Sequence, residues 1–431
     1  MVLVFVAAFE NLAVTTVMPV ISAQLDGASL YAVAFAAPLA ASVPGMVTAG
    51  LWSDRRGPRV PLVASIGLFF VGLIVAGTAP TMELLVAGRL VQGLGSGATT
   101  VALYVVVARI YPGELQPKVF GLFSAAWVVP ALVGPLIAGF VGETVGWRWV
   151  FLGVAAIILP AAVLVAPAFR HLRDTATDAV AHAPWPVARI LWAVLLAVAV
   201  LVLSVSAEAG GTLVYVLGAV ALGVALVAIR PLIPPGTLTA RAGLARAILT
   251  KLLLAGGYFA AEVYLPYLLT AEHGLSPPVA GLALSASGVF WGVSSLTQGR
   301  LGARLTDRAS IRLGIVAVVV AIAVVLLSAA AALPVWVPIL GWALSGAGMG
   351  FAYPRLSVLV LGLSRPDQQG FNSSALNIAD AAGPAMSLAI GGVLFQSLTP
   401  AGSVGAFTGV FVLGLALAIA AAAVSVRLPR R

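Results

Sequence analysis

Cysteine is absent from all 431 residues, so neither a disulfide framework nor a thiolate metal site is available. Charge is nearly as scarce. Only 9% of residues are charged against 61% hydrophobic, where an ordinary soluble domain carries roughly 25% charged. A soluble chain of this length has too little polar surface to cover so much apolar side chain, which leaves an integral membrane protein. Strand-like alternation at period two is also missing, which argues against a transmembrane β-barrel. His171, His182 and His273 have no second ligand at metal spacing, so no metal site is expected. There is no Ser-His-acid set and no phosphate-cradling loop, so neither a hydrolase nor an ATPase is supported, and no enzyme is expected. A net charge of +9 would suggest nucleic acid in a soluble protein. Here the basic residues fall in alternate loops, as membrane topology requires, and no nucleic-acid partner is expected.

What is present is a series of apolar blocks about 20 residues long, enough to cross roughly 30 Å of hydrocarbon as a helix. They run near 2–22, 31–52, 61–79, 83–109, 118–141 and 149–168, then 188–206 and 212–229, then 247–270, 279–299, 311–332, 334–361, 370–398 and 404–426. The sequence thus predicts an all-α membrane protein with fourteen transmembrane helices, as a six-helix bundle over 1–170, a linker with two extra helices over 171–245, and a second six-helix bundle over 246–431. No cleavable signal precedes the first block, which is expected to act as its own insertion signal; it starts at the first residue, which leaves room for native chain upstream. With the N-terminus in the cytosol, the inside loops collect nearly all Lys and Arg, including Arg55, Arg56, Arg59, Lys118, Arg170, Arg230, Arg308 and Arg365, and the outside loops hold Arg148. The two halves resemble each other. "MPVISAQLDG" (18–27) lies over "LPYLLTAEHG" (265–274), "GRLVQGLGSG" (88–97) over "GWALSGAGMG" (341–350) with four glycines in register, and "GPLIAG" (134–139) over the Gly-Pro start of "GPAMSLAIGG" (383–392). Repeated six-helix units facing each other across a cavity are a transporter architecture.

The motifs sharpen this. "GLWSDRRGPR" between the second and third helices fits the pattern Gly-x-x-x-Asp-Arg-x-Gly-Arg-Lys through Gly50, Asp54, Arg55, Gly57 and Arg59, with Pro58 departing from it. Gly50 can let helices approach, Gly57 suits a turn of positive φ, and Asp54 can engage a helix N-terminus or an arginine, so the set can act as a conformational latch. The second-half counterpart "ARLTDRASIR" keeps Asp307 and Arg308 without the glycines. "RLVQGLGSG" contributes Arg89 and Gln92, and "VVPALVGPLIAG" contributes Gly134, Pro135 and Gly139, a packing and bending motif. Together these residues resemble the major facilitator superfamily, most of all its fourteen-span drug:proton antiporters, over nearly the whole chain. The resemblance implies the major facilitator fold. An acidic residue nine positions before a proline in the first helix, here Glu10 and Pro19, fits the same antiporters, although Glu stands for Asp and Leu12 and Thr15 occupy positions often polar there.

Three carboxylates fall deep inside apolar blocks: Glu10, Glu262 and Asp380. A charge at the bilayer centre costs about 2.5–3.5 kcal/mol even on insertion scales, so each must meet a partner, a wet cavity or a proton. They are the candidate proton-coupling residues, with Arg89 and Arg355 as candidate charge partners; structural ion pairing is the competing role. Tyr258, Glu262 and Pro266 recur at i, i+4 on one face. Asn11 and Thr15 continue the Glu10 region, and Asn377 shares a face with Asp380. Gln92, Trp127, Tyr258, Tyr264, Phe290 and Trp291 complete the candidate cavity lining, where aromatic faces suit flat lipophilic cations. "WRWVF" at 147–151 reads as an interfacial aromatic anchor.

The expected function is a proton-coupled exporter of small amphipathic or lipophilic compounds such as drugs, working by alternating access. The expected setting is a monomer in a bacterial plasma membrane with both termini cytosolic. A proton gradient serves as energy source in place of any cofactor, and the partners are substrate, protons and membrane lipids. Two alternatives stay open: a lipid or glycolipid exporter on the same fold, and a non-transporting membrane scaffold or receptor.

Overall fold

In hydrocarbon every backbone amide must be satisfied within its own segment, so long apolar runs fold as helices. The computed structural model describes residues 2–110, 126, 128–170, 186–206, 211–301, 305–331, 333–365, 368–399 and 403–429. These residues hold fourteen α-helices and no strand. The first six are α1 Val2–Gln24, α2 Tyr31–Arg56, α3 Arg59–Gly77, α4 Met82–Ile110, α5 Val128–Val141 and α6 Arg148–Arg170. A pair follows, α7 Val187–Val205 and α8 Gly211–Ala228. The last six are α9 Leu244–Ala271, α10 Pro277–Leu301, α11 Asp307–Ala331, α12 Trp336–Leu363, α13 Gln369–Leu398 and α14 Ser403–Ser425. Twelve are long and apolar enough to cross a membrane alone. The other two, α5 and α6, meet at a bend of 114° through a π-helical turn, Gly142–Gly146.

The register of four glycines shared by the halves has a packing cause. In the first half α4 threads between α2 and α3; in the second, α12 threads between α10 and α11. Gly93 and Gly97 face the backbone of α2 at Pro38 and Ser42, while Gly88 and Gly95 face α3 at Ala76 and Phe69. Gly346 and Gly350 meet α10 at Ser287 and Trp291, while Gly341 and Gly348 meet α11 at Val324 and Gly314. A Cβ at most of these positions would strike a neighbouring backbone, so glycine lets three helix axes lie closer than ordinary side chains allow.

The halves join along two seams, α2 against α13 and α5 against α10. The extra helices lie on the first seam: α7 packs on both α2 and α13, and α8 packs mainly on α7. One end of the molecule carries the arginine-rich turns. There Arg246 donates from Nη1 to the Arg427 carbonyl at 2.6 Å, and Arg308 donates to the Val426 carbonyl, so guanidinium groups cover the carbonyl end of α14. At the opposite end, the outer one if the arginines mark the cytosol, Trp147 is core: its indole N–H donates to Gln24 Oε1 at 3.0 Å, and the Arg148 guanidinium lies 4.4 Å from its ring. Of the aromatic residues in "WRWVF", Trp149 alone is exposed in the manner of an interfacial anchor.

Candidate functional site

The buried acids are matched in three different ways. Glu10 on α1, 4% exposed, accepts from Arg89 on α4, also 4% exposed, at 2.5 Å. The guanidinium further donates to Gln92 Oε1 at 2.9 Å and to the Ala34 carbonyl of α2 at 3.2 Å. Glu10 is thus tied into the first bundle by a buried ion pair.

Asp380 on α13 is matched by a residue absent from the sequence expectations. Lys251 Nζ on α9 lies 2.7 Å from Asp380 Oδ2, and the Tyr353 hydroxyl of α12 donates to Oδ1 at 2.7 Å. Lys251 also reaches Ser357 Oγ at 3.3 Å and sits 4.4 Å from the Tyr353 ring centre. The lysine is 3% exposed, while the Asp380 side chain is 27% exposed. The available signal was compositional: of 23 basic residues only Lys118 and Lys251 are lysine, and Lys251 lies within an apolar block.

Glu262, one face of α9 further out and 8% exposed, forms no ion pair among the described residues. Its Oε1 accepts from the Tyr258 hydroxyl at 3.1 Å, and that hydroxyl continues to Ser287 Oγ at 3.1 Å and on to Ser345 at 3.4 Å. Aromatic rings enclose this chain: Tyr258 stacks on Trp342 and meets Trp291 edge-on, and Trp291 in turn meets Tyr353.

The other candidates divide by position. Arg355 pairs with Asp307 at 2.7 Å rather than with Asp380 or Glu10, so it ties α12 to the second copy of the latch motif. In the first copy Gly57 has φ 78°, as a positive-φ turn requires; Asp54 and Arg59 are exposed, and Arg55 is buried. A Cβ at Gly50 would lie 3.5 Å from Val101, an ordinary contact, so this conformation does not demand a glycine there. Gly139 abuts Pro278 and Pro135 abuts Gly281 along the α5–α10 seam, while Gly134 faces Phe9 of α1. Tyr264 belongs to an outer aromatic plug with Tyr31, Tyr267, Phe395 and Phe407. Phe290 is exposed on the same outward stripe of α10 as Val293 and Leu296, away from the Trp291 face. Trp127 lies outside the described residues.

Exposure along the central faces shows which end is open. On α13 the stripe Ser373, Asn377, Asp380 is half-buried, whereas Ala381 to Ala389 are buried. On α1, Asn11 is exposed while Thr15 and Met18 on the same face are buried. Across the cleft, half-buried Tyr104 of α4 is within electrostatic reach of Asp380. At the outer end the halves are joined by the Tyr31 hydroxyl on the Val263 carbonyl at 3.0 Å and by Gln396 on the Ser29 carbonyl. A cleft therefore opens toward the arginine-rich end and stops below the outer plug.

Two helical bundles joined along two seams, with buried ion pairs and an unpaired buried acid between apolar helices, define the architecture of a helical membrane transporter. The profile of the Major Facilitator Superfamily matches residues 1–247 and again 247–431, and the chain belongs to this family. It is 25% identical over 362 residues to the Methylenomycin A resistance protein of Streptomyces coelicolor, covering 82% of this chain and 75% of that protein. It is 29% identical over 148 residues to Multidrug resistance protein 3 of Bacillus subtilis, covering 34% of this chain and 29% of that one. An uncharacterized MFS-type transporter of Mycobacterium tuberculosis is 31% identical over 209 residues, 48% of this chain and 29% of the relative. The chain thus spans less than a third of the length of these last two relatives. A POT family transporter in complex with 5-aminolevulinic acid superposes with a TM-score of 0.69 at 15% identity, over 97% of this chain and 94% of that one. That likeness is one of fold.

Proposed function

We propose that this chain exports small amphipathic or lipophilic compounds in exchange for protons, by rocking of its two six-helix bundles. The observation that carries the reading is Glu262, a buried acid whose hydrogen-bond partner is a neutral phenol while the other two buried acids hold cations. A bare carboxylate there would cost about 2.5–3.5 kcal/mol, and a bound proton removes that charge. Glu262 is thus suited to carry a proton through the closed centre of the molecule. The drug-resistance names of two relatives support the cargo class. The arginine-rich end is assigned to the cytosol of a bacterial plasma membrane by the positive-inside rule, so the cleft takes substrate from the cell interior. Each proton entering down about 100 mV then supplies about 2.3 kcal/mol from the potential alone.

The test is dye efflux from proteoliposomes under an imposed pH gradient. The wild type transports in proportion to the gradient, and Glu262→Gln loses about tenfold or more of the gradient-driven rate, equivalent to about 1.4 kcal/mol at the barrier. Transport indifferent both to the gradient and to the substitution overturns the reading. Copurified lipid without any response to cationic dyes would move the assignment to lipid export.

A further inference from the structure

The Lys251–Asp380 pair is built asymmetrically. The ammonium is buried between α9, α12 and α13, and its carboxylate partner is half-exposed on the wall of the cleft. Of the two members, Asp380 is the one solvent reaches. Of the two carboxylate oxygens, Oδ1 holds the Tyr353 hydroxyl and Oδ2 holds Lys251. The Tyr353 ring meets Trp291 edge-on, so an aromatic pair adjoins the carboxylate.

Among the described residues, the surroundings leave Lys251 with one source of negative charge. On its own helix the next acid is Glu262, eleven residues on and bonded to Tyr258. From α12 it meets the Tyr353 ring and Ser357, and Arg355 of that helix is paired with Asp307 of α11. From α4, Tyr104 faces Asp380, and Glu10 of α1 is held by Arg89. Neither the α14 segment nor the α10 segment has an acidic residue, and α10 meets Tyr353 through Trp291. A buried ammonium whose only counter-charge is taken by another cation is left bare in an apolar setting, and shedding its proton relieves that cost.

We propose that Lys251 and Asp380 form a cation-exchange site. A lipophilic monocation entering the cleft takes the Asp380 carboxylate, and the displaced Lys251 becomes a neutral amine, releasing one proton to the water of the cleft. No covalent bond to carbon changes. One positive charge arrives with the ligand and one leaves as the proton, so the pair stays neutral before and after. In the reverse step a proton returns to Lys251, the ion pair reforms and the cation is expelled. This inference rests on the exchange reading above and adds a basic group as a proton carrier beside Glu262. Arginine would not serve, since its guanidinium stays charged in proteins.

Binding of tetraphenylphosphonium to the full-length protein in weakly buffered detergent tests this without requiring transport. The wild type should release about one proton per bound cation, and its dissociation constant should fall about tenfold per pH unit. Lys251→Arg keeps a cation on Asp380 and should bind weakly, without proton release and without pH dependence. Lys251→Gln removes the competitor and should bind tightly at all pH values. Glu262→Gln should retain the proton release of the wild type even where its gradient-driven efflux is lost, so the two ideas fail separately. Equal proton release from wild type and Lys251→Arg, or one pH dependence shared by all three proteins, overturns the proposal. So does binding of benzoate in place of tetraphenylphosphonium that disappears in Lys251→Gln.

Discussion

Glu10 and Glu262 lie on the corresponding first helices of the two halves, yet not at corresponding positions. The register that lays Pro19 on Pro266 puts Thr15 opposite Glu262, and the glycine register puts Arg89 opposite Trp342. On these first helices, therefore, the first half holds its buried acid in an ion pair and the second half leaves its own, Glu262, bonded to a phenol. Removing one member of a buried pair leaves a charge without a partner. Arg89→Met alone is expected to destabilise the detergent-solubilised protein by about 3–5 kcal/mol, and Glu10→Leu with Arg89→Met together to recover most of that loss in thermal unfolding. A double variant no more stable than the single one would show that the pair has a role beyond mutual neutralisation. The three acids were legible in the sequence because a carboxylate stands out in an apolar run. Arg89 was legible as a charge partner, but not which acid it takes, because Glu10 lies 79 residues away; Arg355 was set against Asp380 or Glu10, and Asp307 is the acid that stands beside it. Lys251 escaped because it sits only two turns into α9, close to Arg246, where a basic residue reads as topology.

At the scale of helices, the glycine pattern was visible because close approach of backbones imposes composition at a fixed spacing. Its meaning, one helix threaded between two others in each half, needed the packing. Gly93→Ala and Gly346→Ala push a methyl into the backbones of α2 and α10 and are expected to cost about 1–3 kcal/mol each. Gly50→Ala meets only Val101 at 3.5 Å and is expected to stay within about 0.5 kcal/mol of the wild type. If Gly50 serves a closer approach in the opposite conformation, that variant will be as stable as the wild type and slower in dye efflux. Thermal unfolding read beside efflux separates the two effects. The fourteen helices of the described residues were likewise legible from block length, and the central pair, least marked by motif, turns out to lie against the α2–α13 seam. "WRWVF" misled because alternate aromatic residues at a helix start look alike in sequence, while Trp147 is drawn inward by Gln24 and Arg148.

For the whole molecule, the open basic end and the sealed outer end describe one of the two states that alternating access requires. The seal is made by few groups: Tyr31 on Val263, Gln396 on Ser29, the aromatic plug, and the contact of α5 with α10 near Gly139 and Pro278. If the halves rock as rigid bundles, these contacts must part once per cycle, and holding them shut must stop turnover while leaving the inner cleft accessible. The absence of cysteine makes this simple to test, since introduced thiols will be the only ones. Ser29 is exposed and Gln396 half-buried, so both accept a thiol reagent. Joining Ser29→Cys and Gln396→Cys with a short bifunctional maleimide is expected to abolish dye efflux, while tetraphenylphosphonium binding from the basic end persists. Each single-cysteine protein treated alike should transport normally. Undiminished efflux from the cross-linked protein would mean that substrate leaves without opening this end, and a rocking cycle through the outer seal would be the wrong description of how the two halves work.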